Sequence, residues 1–102
     1  MAKRLELHEE LCDILNSKNA YFQPPESGKM KYPAIIYNLR EYDQRRADDI
    51  NYTVQAEYTL TIIDRDPDST LPTKVLSRFK MCRFDRWYAA DGLNHYVFDL
   101  FY

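Results

Sequence analysis

The longest regular pattern in the chain runs from Ile50 to Asp64. Tyr52, Val54, Ala56, Tyr58, Leu60 and Ile62 alternate there with Asn51, Thr53, Gln55, Glu57, Thr59 and Thr61. Successive side chains of a strand point to opposite faces, so this alternation predicts a strand with one apolar and one polar face. Its β-branched and aromatic content agrees. At about 3.3 Å per residue it would span roughly 45 Å, which is long for a small domain. One end is therefore expected to project beyond the core, where a partner can reach it.

The remaining elements follow from the same periodicities. Residues Ala2 to Leu15 read as a helix with Leu5, His8, Leu11, Cys12 and Leu15 on its inner stripe. Asn16 to Asn19 stop it, and Ala20 to Phe22 read as a short edge strand. Gln23 to Gly28, with two prolines, reads as an extended loop. A strand is predicted from Tyr32 to Leu39, continuing to Tyr42. Asp43 to Asp49 is highly charged and joins two alternating strands, so it reads as the tip of a long antiparallel hairpin. Asp64 to Ser69 is a turn. A second helix follows with Pro72 in its first turn and Leu71, Val75, Leu76 and Phe79 as its stripe. Met81 to Tyr88 reads as a strand with Cys82, Phe84 and Tyr88 on one face and Trp87 on the other. Asp91-Gly92 is a hairpin signal. Asn94 to Tyr102 closes the chain as a strand apolar on both faces, hence either central in the sheet or covered by another subunit. The expected fold is a single α+β domain over 1–102: a mainly antiparallel sheet, two helices packed on one face, and a long projecting β-hairpin.

Composition narrows the function classes. In 102 residues the chain can bury one modest core. A net charge of −2 gives no general attraction to nucleic acid or anionic membranes. No apolar run is long enough to span a bilayer, so no membrane partner is expected, and the basic N-terminus is not followed by the apolar stretch of a signal peptide. Two glycines against five prolines leave no glycine-rich phosphate loop. Nine tyrosines and five phenylalanines are the unusual feature.

Candidate chemistry is thin. Asp64, Asp66 and Asp68 fit the first three ligand positions of a calcium loop, but Ser69 and Val75 stand where that loop needs Gly and Glu. An acidic turn in which Asp68 or Ser69 helps cap the next helix accounts for them. His8, His95, Cys12 and Cys82 have no zinc-ligand spacing, and Cys12 on a buried stripe is a poor nucleophile. No metal or cofactor is expected, and no enzymatic motif is found. Arg45, Arg46, Arg83 and Arg86 lie near aromatic residues, a combination that can bind single-stranded nucleic acid, but Asp43, Asp48, Asp49 and Asp85 neutralise them locally. Tyr and Trp are enriched at interface centres, and Trp87, Phe101 and Tyr102 exceed what one small core can hold.

Four stretches together carry a resemblance: Y-F-Q-P-P from Tyr21, K-Y-P-A-I-I-Y from Lys31, Y-T-L-T-I-I-D-R-D-P-D-S from Tyr58, and F-D-R-W-Y-A-A-D-G-L-N-H from Phe84. They resemble the tail terminator, or tail completion, proteins of long-tailed bacteriophages and prophages, over most of the chain. The resemblance implies a non-enzymatic virion protein made in the host bacterial cytoplasm. It implies a ring, usually a hexamer, that ends tail-tube polymerisation and offers a docking surface to the head connector. It carries over no catalytic residue. Asp43, Arg45, Arg46, Asp48, Asp49, Trp87, Phe101 and Tyr102 become candidate interface residues, with the hairpin tip facing either the lumen or a neighbouring virion protein. DNA would pass through such a ring without sequence-specific binding. A head-closure or neck connector protein, a small nucleic-acid-binding α+β module and an uncharacterised hydrolase are the alternatives.

Overall fold

The computed structural model describes residues 3–23, 31–47 and 50–102, with side chains described at 4–23, 31–41 and 56–102. The alternating stretch forms one strand over the residues expected of it, Ile50–Asp64. In chain order the elements are α1 (Lys3–Leu15), β1 (Ala20–Phe22), β2 (Ala34–Ala47), β3 (Ile50–Asp64), α2 (Leu71–Arg78), β4 (Cys82–Ala90) and β5 (Leu93–Phe101). The sheet has the order β1-β2-β3-β5-β4. β1 runs parallel to β2 and every other pair is antiparallel. The fold is α+β with a mostly antiparallel sheet. Ala2, the expected helix start, and 24–28 of the expected proline loop lie outside the described residues.

One apolar cluster holds these elements together. It takes Leu7, Leu11, Ile14 and Leu15 from α1, Leu71 and Val75 from α2, and Phe79 just beyond it. The sheet contributes Ile35 and Tyr37 of β2, Tyr58, Leu60 and Ile62 of β3, and Phe98 and Leu100 of β5. These strand residues share the face that β3's alternation defines, here termed the cluster face. Two salt bridges tie the helices together: Arg78 Nε to Glu10 Oε1 and Arg78 Nη1 to Asp13 Oδ2, each at 3.0 Å. Tyr37 lies fully buried, and its hydroxyl stands 2.6 Å from His8 Nδ1.

Several local readings change. On α1 the buried residues are Leu7, Leu11, Ile14 and Leu15, so Leu11 and Leu15 of the expected stripe hold while Leu5 is exposed. The helix carries apolar residues at enough positions to offer two competing stripes, and the set with 4- and 3-residue steps through Leu7 wins. On α2, Leu71 and Val75 are buried but Leu76 is exposed. Strand β2 does not end at Tyr42. It stays paired through Asp43↔Gln55, Arg45↔Thr53 and Arg46↔Asn51 to Ala47↔Ile50. Asp43, Arg45 and Arg46 are thus strand residues rather than turn residues, while Asp48 and Asp49 lie outside the described residues. Charged side chains are compatible with a strand whose backbone is paired on one side.

Strand β5 is central, between β3 and β4, which accounts for its two apolar faces. Asp91 and Gly92 form its hairpin turn with β4, at φ of 53° and 73°. Positive φ at both central residues is what a type I′ turn requires.

Candidate functional site

Besides the outer edge of the three-residue β1, the pairing scheme leaves three longer backbone edges in the described residues. The first is the outer edge of β4, an edge strand along its whole length. The other two border the β2–β3 ribbon. β5 pairs with β3 only from Glu57↔Phe101 to Asp64↔Asn94. β1 meets β2 only at Ile35, Ile36 and Tyr37. Beyond Glu41↔Glu57 the sheet continues as two strands, bordered at its root by a bond from Tyr102 N to Ala56 O at 3.0 Å. The longest dimension of the molecule, 51 Å against 24 and 22 Å, reflects these long strands.

Strand β4 is the most exposed regular element: after the half-buried Cys82, every residue from Arg83 to Ala90 is exposed. Phe84, Trp87 and Tyr88 are exposed by 46%, 53% and 41%, large values for residues that usually bury most of their surface. A register shift between Phe84↔Phe98 and Arg86↔Val97 marks a β-bulge at Asp85. The extra residue moves everything after it to the other face. Trp87 therefore pairs with Tyr96, placing it on the cluster face beside Phe84, while Tyr88 pairs with His95 on the opposite face. This reverses the expected placement of Trp87 and Tyr88, because strict alternation cannot register an inserted residue. Tyr88 stacks on His95 with ring centroids 4.6 Å apart, and Phe84 meets Phe98 edge-on at 5.5 Å.

The other candidates from the C-terminal strand are held inside the chain. Tyr102 donates its hydroxyl to Glu10 Oε2 and packs edge-on against Phe79 at 6.0 Å. Burial, then the Glu10 bond, pushes its phenol up to about 12. Phe101 is half-buried and donates its backbone N–H to Met81 O at 2.9 Å. Asp43, Arg45 and Arg46 have defined strand positions, but their side chains, like Asp48 and Asp49 as a whole, lie outside what is described.

The opposite face carries a charged cluster that the sequence did not reveal. Glu57 and Asp99 are each only 8% exposed. Arg40 Nη1 donates to Glu57 Oε2 at 3.3 Å and to Asp99 Oδ1 at 3.2 Å, and Arg83 Nη2 stands 3.6 Å from Asp99 Oδ2. Arg40 occupies a register shift of β2, between Leu39↔Tyr58 and Glu41↔Glu57. Burial raises the Glu57 carboxyl above its ordinary range, and a hydrogen bond with Glu41 raises it further. The available signal was a charged residue in each of two long strands, Glu57 and Asp99. It becomes informative only once β3 and β5 are known to be neighbours.

The acidic turn and the thiol at Cys82 have ordinary structural surroundings. Asp64 and Asp66 are occupied as acceptors, Oδ1 of Asp64 from Asp66 N at 3.1 Å and Oδ1 of Asp66 from Asp68 N at 2.9 Å. The turn ends with Ser69 Oγ accepting from Leu71 N at 3.3 Å. Burial, then Asp99, pushes the Cys82 thiol up to about 11, so it stays protonated at neutral pH. Among the described residues no group of three His, Cys, Asp or Glu side chains could hold a metal ion. Among the same residues no helix is long and apolar enough to cross a membrane. Comparison with known proteins finds no matching family model, no matching curated protein and no matching solved structure.

Proposed function

We propose that this chain is a non-enzymatic virion structural protein of a long-tailed bacteriophage or prophage. It would assemble into a ring, most simply a hexamer, at the head-proximal end of the tail tube, ending tube polymerisation and receiving the head connector. The observation that carries this reading is the β2–β3 ribbon, which continues beyond the pairing limits of β1 and β5. A ring needs two different surfaces on each subunit that close on themselves. A ribbon with bare edges can reach a neighbouring subunit, and Asp43, Arg45, Arg46, Asp48 and Asp49 lie in this part of the chain. The half-buried Phe101 and Tyr102 border the ribbon's root. The sequence resemblance to tail terminators supports the same reading. Acidic residues toward the ribbon's end suit a lumen that lets DNA pass without holding it.

The test is solution mass by light scattering over a concentration series, alone and with purified tail tubes. A six-subunit ring, free or formed at tube ends, is the expected result. A protein that ignores tubes but binds the head connector would transfer it to the neck. Strongly salt-dependent DNA binding without assembly would overturn the structural role altogether.

A further inference from the structure

The outer edge of β4 is bare, nine residues long and lined by exposed aromatic rings. Bare edges attract other strands, and proteins usually blunt them with bulges, charges or cover. Here the bulge does something more specific. Counting bulged Asp85 and Arg86 as one step, Phe84 and Trp87 are equidistant from it on the cluster face, and Arg83 and Tyr88 are equidistant on the other. The segment R-F-D-R-W-Y is therefore self-complementary about its own centre: ring with ring, cation with ring, and acid with base. We infer that β4 is an isologous interface: two copies pair antiparallel through β4, with the two-fold axis at the bulge.

In that register each Phe84 lies opposite Trp87 of the second copy, an aromatic pair on one face. Each Arg83 lies opposite Tyr88 of the second copy, a cation over a ring, on the other. At the axis Asp85 meets Arg86 of the second copy, twice by symmetry. Within one copy Arg86 Nη1 stands 3.3 Å from Asp85 Oδ2, and both side chains are well exposed, so both are positioned to be shared. Directly opposed unlike charges and aromatic rings are the stabilising pairs of antiparallel sheets. An isologous contact requires such self-complementarity. Without the bulge, Phe84 and Trp87 would fall on opposite faces and the match would be lost. The inference does not rest on the ring reading. A two-fold contact at β4 lies on a different edge from the β2–β3 ribbon, and it assigns Trp87 to this contact rather than to a ring.

The test is charge reversal at the axis. Sedimentation of the whole chain, at concentrations below those at which a ring forms, should show a monomer–dimer equilibrium. Because Trp87 is the sole tryptophan, its emission should shift to the blue as the dimer forms. Asp85→Arg alone and Arg86→Asp alone each oppose like charges across the axis and should weaken dimerisation by about tenfold or more. An equimolar mixture of the two variants restores unlike pairs and should recover the dimer and the blue shift. Far-UV circular dichroism of each variant separates loss of association from loss of fold, and the mixture's recovery does so independently. A wild-type protein that stays monomeric, a ring indifferent to both reversals, or a dimer that survives both single variants overturns the inference. Absence of a ring beside an intact β4 dimer would instead count only against the proposed function.

Discussion

Strands β4 and β5 are antiparallel partners of nine residues each, both rich in aromatic side chains, yet their environments are opposite. β5 buries Val97, Phe98, Asp99 and Leu100, whereas β4 has no buried residue at all. Aromatic content, three Phe, Trp or Tyr rings in each, does not separate them; position does. β5 has a strand on either side and the apolar cluster under one face, so its side chains are covered from several directions. β4 has a neighbour on one side only, and its rings are left to solvent or to a partner. Aromatic content alone therefore reports neither core nor interface. Sheet order must be known first.

The two strands differ most at the contact between them. Phe98 is fully buried, and Phe98→Ala should destabilise the fold by about 4 kcal/mol through lost transfer energy and an unfilled cavity. Phe84, directly opposite, keeps nearly half its surface in water. Phe84→Ala should cost only about 1 kcal/mol, the worth of its edge-on contact with Phe98. Urea denaturation of both variants measures the difference. Comparable losses would mean that β4 is covered in solution, by another copy or another protein.

Next in size is the charged cluster on the opposite face. Arg40→Ala leaves Glu57 and Asp99 buried without their shared donor. Removing one partner of a buried ion pair is costly, but Arg40 itself is 55% exposed and partly screened. A loss of about 2 kcal/mol is expected in the same denaturation experiment. A loss indistinguishable from zero would mean that water already satisfies both carboxylates.

How much of this was legible follows from what periodicity can encode. The limits of β3, the Asp91-Gly92 turn and the short β1 could be read directly, because alternation, turn chemistry and breakers are local. The bulge at Asp85 was not legible: one inserted residue resets the phase of β4, and neither side of it breaks the pattern visibly. On α1 the pattern locates Leu11 and Leu15 but not the choice between Leu5 and Leu7, since both offer acceptable helical spacings and only packing against the sheet decides. Charge suggested that β2 should end before Asp43, but a ribbon paired on one side tolerates Asp43, Arg45 and Arg46 as strand residues. The Arg40–Glu57–Asp99 cluster lay beyond sequence reasoning, since its members come from three strands whose order is a tertiary fact.

A smaller, signed effect comes from Glu57. Burial first, then the Glu41 bond, holds its carboxyl above the ordinary range, so the native state keeps a proton that the unfolded chain releases. This contribution to stability is fully present below the ordinary carboxylate pKa and is lost as pH rises through the raised value. Glu57→Gln retains an acceptor for Arg40 without the charge. Relative to the parent, its melting temperature should therefore improve as pH increases from mildly acidic to neutral. Paired thermal melts across that range supply the check. A constant difference between the two proteins would show that Glu57 titrates normally.

The smallest effect on stability is expected where the sequence made its boldest interface claim. Trp87 is exposed by 53% and, as a residue of an edge strand, contributes little to the cluster. Trp87→Ala should change the stability of the isolated chain by no more than about 0.5 kcal/mol, the usual range for surface positions. Interface aromatics behave differently, because truncating one in a desolvated contact commonly costs more than about 2 kcal/mol of binding. The variant should thus unfold at nearly the parent's denaturant midpoint at low protein concentration, yet lose the rise in stability that association gives the parent at high concentration. Parallel concentration dependence in the two proteins would leave Trp87 as solvated surface, and the contrast between β4 and β5 would then concern folding alone.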